Sequence, residues 1–236
     1  MPHALRRCVT GTCALLALVG CSVARADVTF SDTEFPISNW GFETVTSGTG
    51  GTSIPAQVAG GNPGNARQIT NNVNANGGTV FGVSRYGTTN ATRYDPSTQG
   101  AISSIDYSID ARWLSGIGGQ GHSIMLGIKQ NVTVYYAHIE ITGSDGLWHT
   151  FGTTGLTAAD FTNLTAGAPI DFSAAGAPLR VGFIVGNSAP NISYTNVVLY
   201  DNFTAVVHNV PTPGGIALVG VGVLVAMRRR RDPAAA

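Results

Sequence analysis

Cysteine is absent from the body of this 236-residue chain: Cys8, Cys13 and Cys21 all fall in the first stretch. No disulfide can staple the body, so its fold has to come from a packed core. Charge is also scarce, at 11% of residues. Residues 27–209 hold six of the 13 basic side chains (Arg67, Arg85, Arg93, Arg112, Lys129 and Arg180) but twelve of the 13 acidic ones. The body is therefore about −6, although the whole chain is formally neutral. A net-acidic body with no basic stripe in the sequence excludes a nucleic-acid partner. Catalytic signatures are missing as well. There is no His-Glu-x-x-His pair, no Gly-x-Ser-x-Gly elbow, no phosphate loop and no body cysteine to act as nucleophile. Asp106 and Asp110 share a strand face, but four residues at about 3.3 Å each set them roughly 13 Å apart. A glycosidase pair needs about 5 to 9 Å. The chain reads as a non-enzyme.

The two ends carry the clearest patterns. Arg6 and Arg7 precede an uncharged, mostly apolar run from Cys8 to Gly20, and Ala24-Arg25-Ala26 then offers small residues at a cleavage position. That order is a signal peptide over 1–26, cut by signal peptidase before Asp27. The run is too short to span a bilayer, which takes roughly 20 apolar residues. A second reading stands beside it. Leu18-Val19-Gly20-Cys21 resembles the lipobox of bacterial lipoproteins, which implies lipidation of Cys21 and a stable acyl anchor.

At the other end, Val210-Pro211-Thr212-Pro213-Gly214-Gly215 leads into an uncharged run from Ile216 to Met227, closed by Arg228, Arg229, Arg230 and Arg231. An apolar helix of marginal spanning length followed by four arginines keeps the C-terminus in the cytoplasm. The bulk of the chain is then outside. This tail, 210–236, resembles the PEP-CTERM sorting signal, with Pro211, Pro213 and Gly214 as its proline motif. The resemblance implies an exosortase-like membrane protease as partner, cutting near the prolines and releasing the protein to the cell surface. Thr212 stands where the family carries an acidic residue. A permanent single-pass anchor is the alternative.

Between the ends the periodicity is that of strands. From Ala101 to Leu114, Ile105, Tyr107, Ile109, Ala111 and Trp113 alternate with polar residues, a half-buried strand with one apolar face. Val132 to Ile141 is β-branched and aromatic on both faces. Leu179–Val185 and Asn196–Val207 also read as strands. Shorter candidates are 28–30, 40–45, 67–73, 79–86, 123–129 and 148–153. Ser47 to Gly64 is Gly-rich and reads as a long surface loop, and Ala158–Leu164 as a helical turn. About ten strands without a sustained 3.6-residue period predict an all-β, antiparallel β-sandwich, or jelly roll, over 27–209. The pattern from Asp160-Phe161 through Ala177-Pro178-Leu179-Arg180-Val181-Gly182-Phe183 to Tyr200-Asp201-Asn202-Phe203 resembles the closing half of concanavalin-like and carbohydrate-binding jelly rolls.

Two constellations are candidate sites. Aromatic rings can offer an apolar plane to a sugar. Alternation places Tyr107 and Trp113 in the core, which leaves Trp148 and Tyr135 as candidate ligand-binding residues. Asp32 and Glu34 near the first strand and Asp201 and Asn202 in the last would meet if those strands are neighbours. They would then offer calcium the oxygens it needs, although no calcium-loop motif accompanies them. The expected function is an exported, cell-surface or matrix protein with a structural or adhesive body, envelope polysaccharide being the expected partner. A lectin-like module holding a structural calcium is the alternative, and a glycan-active hydrolase a third.

Overall fold

A computed structural model describes residues 26–89, 92–116 and 122–210. Cys21, Ala24 and the tail with Pro211, Pro213, Gly214 and Arg228–Arg231 lie outside the described residues. Among those described, no helix is long and apolar enough to cross a membrane.

Among the described residues, twelve strands form two six-stranded antiparallel sheets. In sheet A, β3 (Gly51–Ala59), β4 (Asn65–Val73), β12 (Tyr194–Asn209), β6 (Ile102–Ser115) and β9 (Trp148–Leu156) come in that spatial order, and β1 (Val28–Asp32) adds to β12. In sheet B the order is β10 (Thr162–Asn163), β8 (Thr133–Ile141), β7 (Ser123–Gln130), β11 (Leu179–Ala189), β5 (Gly78–Tyr86) and β2 (Trp40–Ser47). This is the expected all-β sandwich, and all ten expected strands are present. The stretch expected to be one long loop is instead interrupted by β3. That strand pairs only with β4, so it is an edge, where Pro55 and polar residues are tolerated. The turn near Ala158 is a single 3-10 turn, Ala158–Asp160, held by a capping box between Thr157 and Asp160.

The apolar faces meet in one core. Ile105, Tyr107, Ile109 and Ala111 are all buried, in keeping with their alternation. Across from them Leu126, Ile128, Val181, Phe183 and Val185 close the core from sheet B. At its centre Trp40 packs edge-on to Tyr86, Phe183 and Phe203 and stacks on Phe35. Arg67 is buried too. Its guanidinium lies 5.4 Å from the Trp40 ring and 5.6 Å from Phe42, and its Nε donates to Ser84. Burial lowers its pKa to about 10, with nearby Asp32 opposing the shift. The arginine stays charged at neutral pH, its guanidinium held against two aromatic faces and the Ser84 hydroxyl.

β12 bends partway along its length. Tyr194–Tyr200 pair with β4, whereas Phe203–Val207 pair with β1. Between them the register against β6 shifts and Asn202 takes φ of 50°. This bulge turns both Tyr200 and Phe203 inward, where they are fully buried, and leaves Asp201 on the outer face.

His122 is fully buried, with its Nδ1 hydrogen-bonded to the Tyr200 hydroxyl at 2.7 Å. Burial drives its pKa down to about 3 against an opposing bond with the Asn196 backbone, so the folded protein holds a neutral ring. The unfolded chain takes up that proton near 6.5. Stability is therefore expected to fall as pH drops through about 6.5 toward 3, with a slope of about 1.4 kcal/mol per pH unit from this group. His208 acts with the opposite sign. Hydrogen bonds to Asp106 and Asp27 raise its pKa, so its contribution is complete below about 6.5 and lost as pH rises through its folded value. Urea denaturation at pH 7 and pH 5 separates the two: His122→Phe should flatten the loss at pH 5, and an unchanged slope would contradict the assignment.

Candidate functional site

The first and last strands are neighbours, with Asp32 directly opposite Phe203. The four residues considered for calcium nevertheless do not assemble. Asp32 faces inward with Phe203, and its Oδ2 accepts the Trp40 indole N–H at 2.9 Å. Its Oδ1 accepts the backbone N–H groups of Glu34 and Phe35. Glu34 is turned to the side amide of Asn65. Asp201 sits on the opposite face because of the bulge. Among the described residues no three His, Cys, Asp or Glu side chains converge as a metal site. The oxygens present do not fit calcium.

What the bulge builds instead is a closed carboxylate pair. Asp201 is directly opposite Asp110 on β6, which is opposite Thr150 on β9. Like charges placed this way repel, and both are buried. The β3–β4 turn folds over them with donors. The Asn62 backbone N–H donates to Asp201, and its side amide donates to Asp110 at 3.1 Å. Asn202 supplies its amide to Asp110 at 2.8 Å and its backbone N–H to Asp201, and Thr150 donates to the other Asp110 oxygen at 2.6 Å. Every oxygen of the pair has a donor. Desolvation, with Asp110 and Glu34 nearby, still raises the Asp201 pKa against the two backbone N–H bonds. The pair locks a turn and leaves no acid open to a substrate.

Tyr135 faces the core on β8, buried, with its hydroxyl donating to the Ala168 carbonyl at 2.8 Å. It presents no ring to solvent, contrary to the expectation for a sugar platform. Trp148 is half-buried at the start of edge strand β9, opposite Arg112 on the outer face of sheet A. The two aromatic candidates are therefore on different sheets.

Among the described residues, two depressions lie on the outer face of sheet B, the first also reached by Tyr194 from the start of β12 in sheet A. One, about 360 Å³, is lined by Phe81, Ile141, Tyr194 and Gly186 with Thr79, Ser123, Asn187 and Ser188. It joins aromatic and aliphatic surface to hydroxyls and an amide. Next along the same face come Val83, Ile184, Met125 and Val134, a second apolar cluster outside the main core. Beyond it Gly41, Arg85, Gly182 and Gly127 stand side by side in register. A side chain at Gly41 would meet the Arg85 guanidinium at 3.4 Å, and one at Gly182 would strike the Ser84 carbonyl. These glycines keep the sheet floor low. Past them a second depression of about 280 Å³ is lined by Arg85, Arg93, Lys129, Asn131, Pro178 and Arg180. Lys129 reaches back to Glu43 with bonds of 2.7 and 3.0 Å. β11 and β5 separate the strands of that pair, so both side chains lie across the sheet face.

Neither depression is legible in the sequence. Its only signal is the strand assignments of Phe81, Arg85, Lys129 and Arg180, which share a face only once the strand order is known.

No protein-family profile and no curated protein matches the chain. Among solved structures, it is similar to the family 11 carbohydrate-binding module of Lic26A-Cel5E from Clostridium thermocellum. That match has 12% identity over 80% of this chain and 98% of that one, with a TM-score of 0.44. The CBM22-1 xylan-binding domain of Paenibacillus barcinonensis Xyn10C gives 12% identity, 80% and 99% coverage and a TM-score of 0.43. The architecture rests on the strand pairing itself, and likenesses this distant do not choose a ligand.

Two outcomes check the carboxylate pair. Asn62→Ala should cost about 1–3 kcal/mol at pH 7 by removing one of the two side-chain amide donors to the buried Asp110 carboxylate. The deficit should shrink toward acid, because protonating Asp201, whose folded pKa is raised, relieves the repulsion. Calorimetry with calcium and with chelator should give the same melting temperature; a rise of several degrees in calcium would restore the metal reading.

Proposed function

We propose that this chain is exported and held at the cell surface as a non-catalytic, adhesive β-sandwich that binds envelope polysaccharide along the outer face of sheet B. Signal peptidase removes 1–26, and an exosortase-like protease acts on the tail at Pro211-Thr212-Pro213-Gly214. The observation that carries the binding reading is the depression around Phe81, Ile141 and Tyr194. Flat or branched apolar groups there adjoin the hydroxyls of Thr79, Ser123 and Ser188. A pyranose needs that combination: an apolar plane for its C–H face and polar edges for its hydroxyls. The closed state of Asp110 and Asp201 argues against the hydrolase alternative, since each oxygen is already engaged.

Affinity electrophoresis of the purified protein through gels containing polysaccharide tests the site. Phe81→Ala and Tyr194→Ala should each weaken retardation about tenfold, the loss of a stacking plane costing on the order of 1.4 kcal/mol. Trp148→Ala, on the other sheet, should leave it unchanged. Retardation that depends on Trp148 alone would move the site to sheet A. For export, mass spectrometry of fractionated cells should find a mature N-terminus at Asp27 and a C-terminus near the proline motif. An acylated Cys21 would replace the first assignment, and an intact tail in the membrane the second.

A further inference from the structure

We propose that the cationic depression at the end of the sheet B face binds the carboxylate of a uronic acid, so that the polysaccharide held there is acidic. The inference rests on the polysaccharide reading above and adds the class of sugar. Four of the six cations in residues 27–209 line this one depression, in a body with twice as many acids as bases. Arg180 and Lys129 are directly opposite each other on paired strands, an arrangement that costs stability unless an anion lies between them. Glu43 is the carboxylate in reach, and it is committed to Lys129, with Arg85 at 3.8 Å. Among the described residues no acid pairs with Arg93 or Arg180. The pocket therefore carries a surplus of positive charge.

The surplus is also pre-organised. The Arg180 Nη2 is pinned by the carbonyls of Thr88 and Thr89, each at 3.2 Å. The Nε atoms of Arg85 and Arg180 are buried without an acceptor. Burial, with Arg93 and Arg85 close by, lowers the Arg180 pKa. Fixed guanidinium forks match the two oxygens of a carboxylate and are charged at every relevant pH. Solvated surface cations are the bland explanation. It accounts poorly for their convergence on one spot when twelve acids elsewhere offered pairing. At about 280 Å³ the depression is near the lower end of small-molecule sites, roughly 300–1,000 Å³, and suits one sugar unit. It also continues the face that carries Phe81. From Arg180 to Gly186 along β11 is roughly 20 Å at about 3.3 Å per residue, so a single chain can touch both.

Calorimetric titration of the purified protein with oligogalacturonate, a neutral glucan oligosaccharide of equal length, free galacturonate and inorganic phosphate tests this. The acidic oligomer should bind about tenfold more tightly than the neutral one, the worth of one charge-assisted contact. That advantage should shrink from about 50 to about 200 mM salt. Arg93→Gln, at an exposed position, and Arg180→Gln should each erase most of it, while Glu43→Gln should strengthen acidic binding. Equal affinity for both oligomers, unchanged in Arg93→Gln, would overturn the inference. If neutral binding is still lost in Phe81→Ala, the polysaccharide reading survives that failure. Binding of neither oligomer overturns both readings. Phosphate competing better than free galacturonate would reassign the pocket to a free anion and also overturn the uronate proposal.

Discussion

Trp40 holds the two sheets of this protein together. It belongs to sheet B, yet its indole N–H is anchored on Asp32 of β1 and its ring meets Phe203 and the Arg67 guanidinium of sheet A. Phe35, Tyr86 and Phe183 complete the contact. In a body without cysteine, this aromatic cluster does the cross-linking that disulfides do in many exported domains. It commits Trp40, Tyr86, Tyr107 and Tyr200 to packing. The space between the sheets is therefore filled where this cluster lies, which is why the proposed binding face is an outer one.

The outer faces differ. That of sheet A is sealed near its middle by the Asn62 turn over Asp110 and Asp201, a polar closure in which every carboxylate oxygen is used. That of sheet B stays open. Glycines at 41, 182 and 127 lower its floor, and the chemistry grades from aromatic and hydroxyl at one end to cationic at the other. An extended ligand laid along β11 would meet both ends.

Much of the fold can be read from alternation. Ile105, Tyr107, Ile109 and Ala111 declare both their strand and its buried side. Strand β3 is hidden because Gly51, Pro55 and its polar residues mimic a loop, which an edge strand tolerates. Tyr135 is ambiguous because β8 is apolar on both faces, so period two carries no orientation there. The pairing of first and last strands can be expected of a sandwich, but the bulge at Asn202 cannot, and it sends Asp201 to the face opposite Asp32. The cationic pocket is out of reach for another reason. Arg85, Lys129 and Arg180 are some 40 to 50 residues apart in the chain and come together only because β11 lies between β5 and β7. Counting them reveals no stripe, since the stripe runs across strands and not along them.

Hydrogen–deuterium exchange of the protein with and without an acidic polysaccharide is the most direct test that recognition belongs to one outer face. New protection is expected in β5, β7 and β11, with β6, β9 and the Asn62 turn unchanged. Protection confined to β6 and β9, around Trp148, would contradict it.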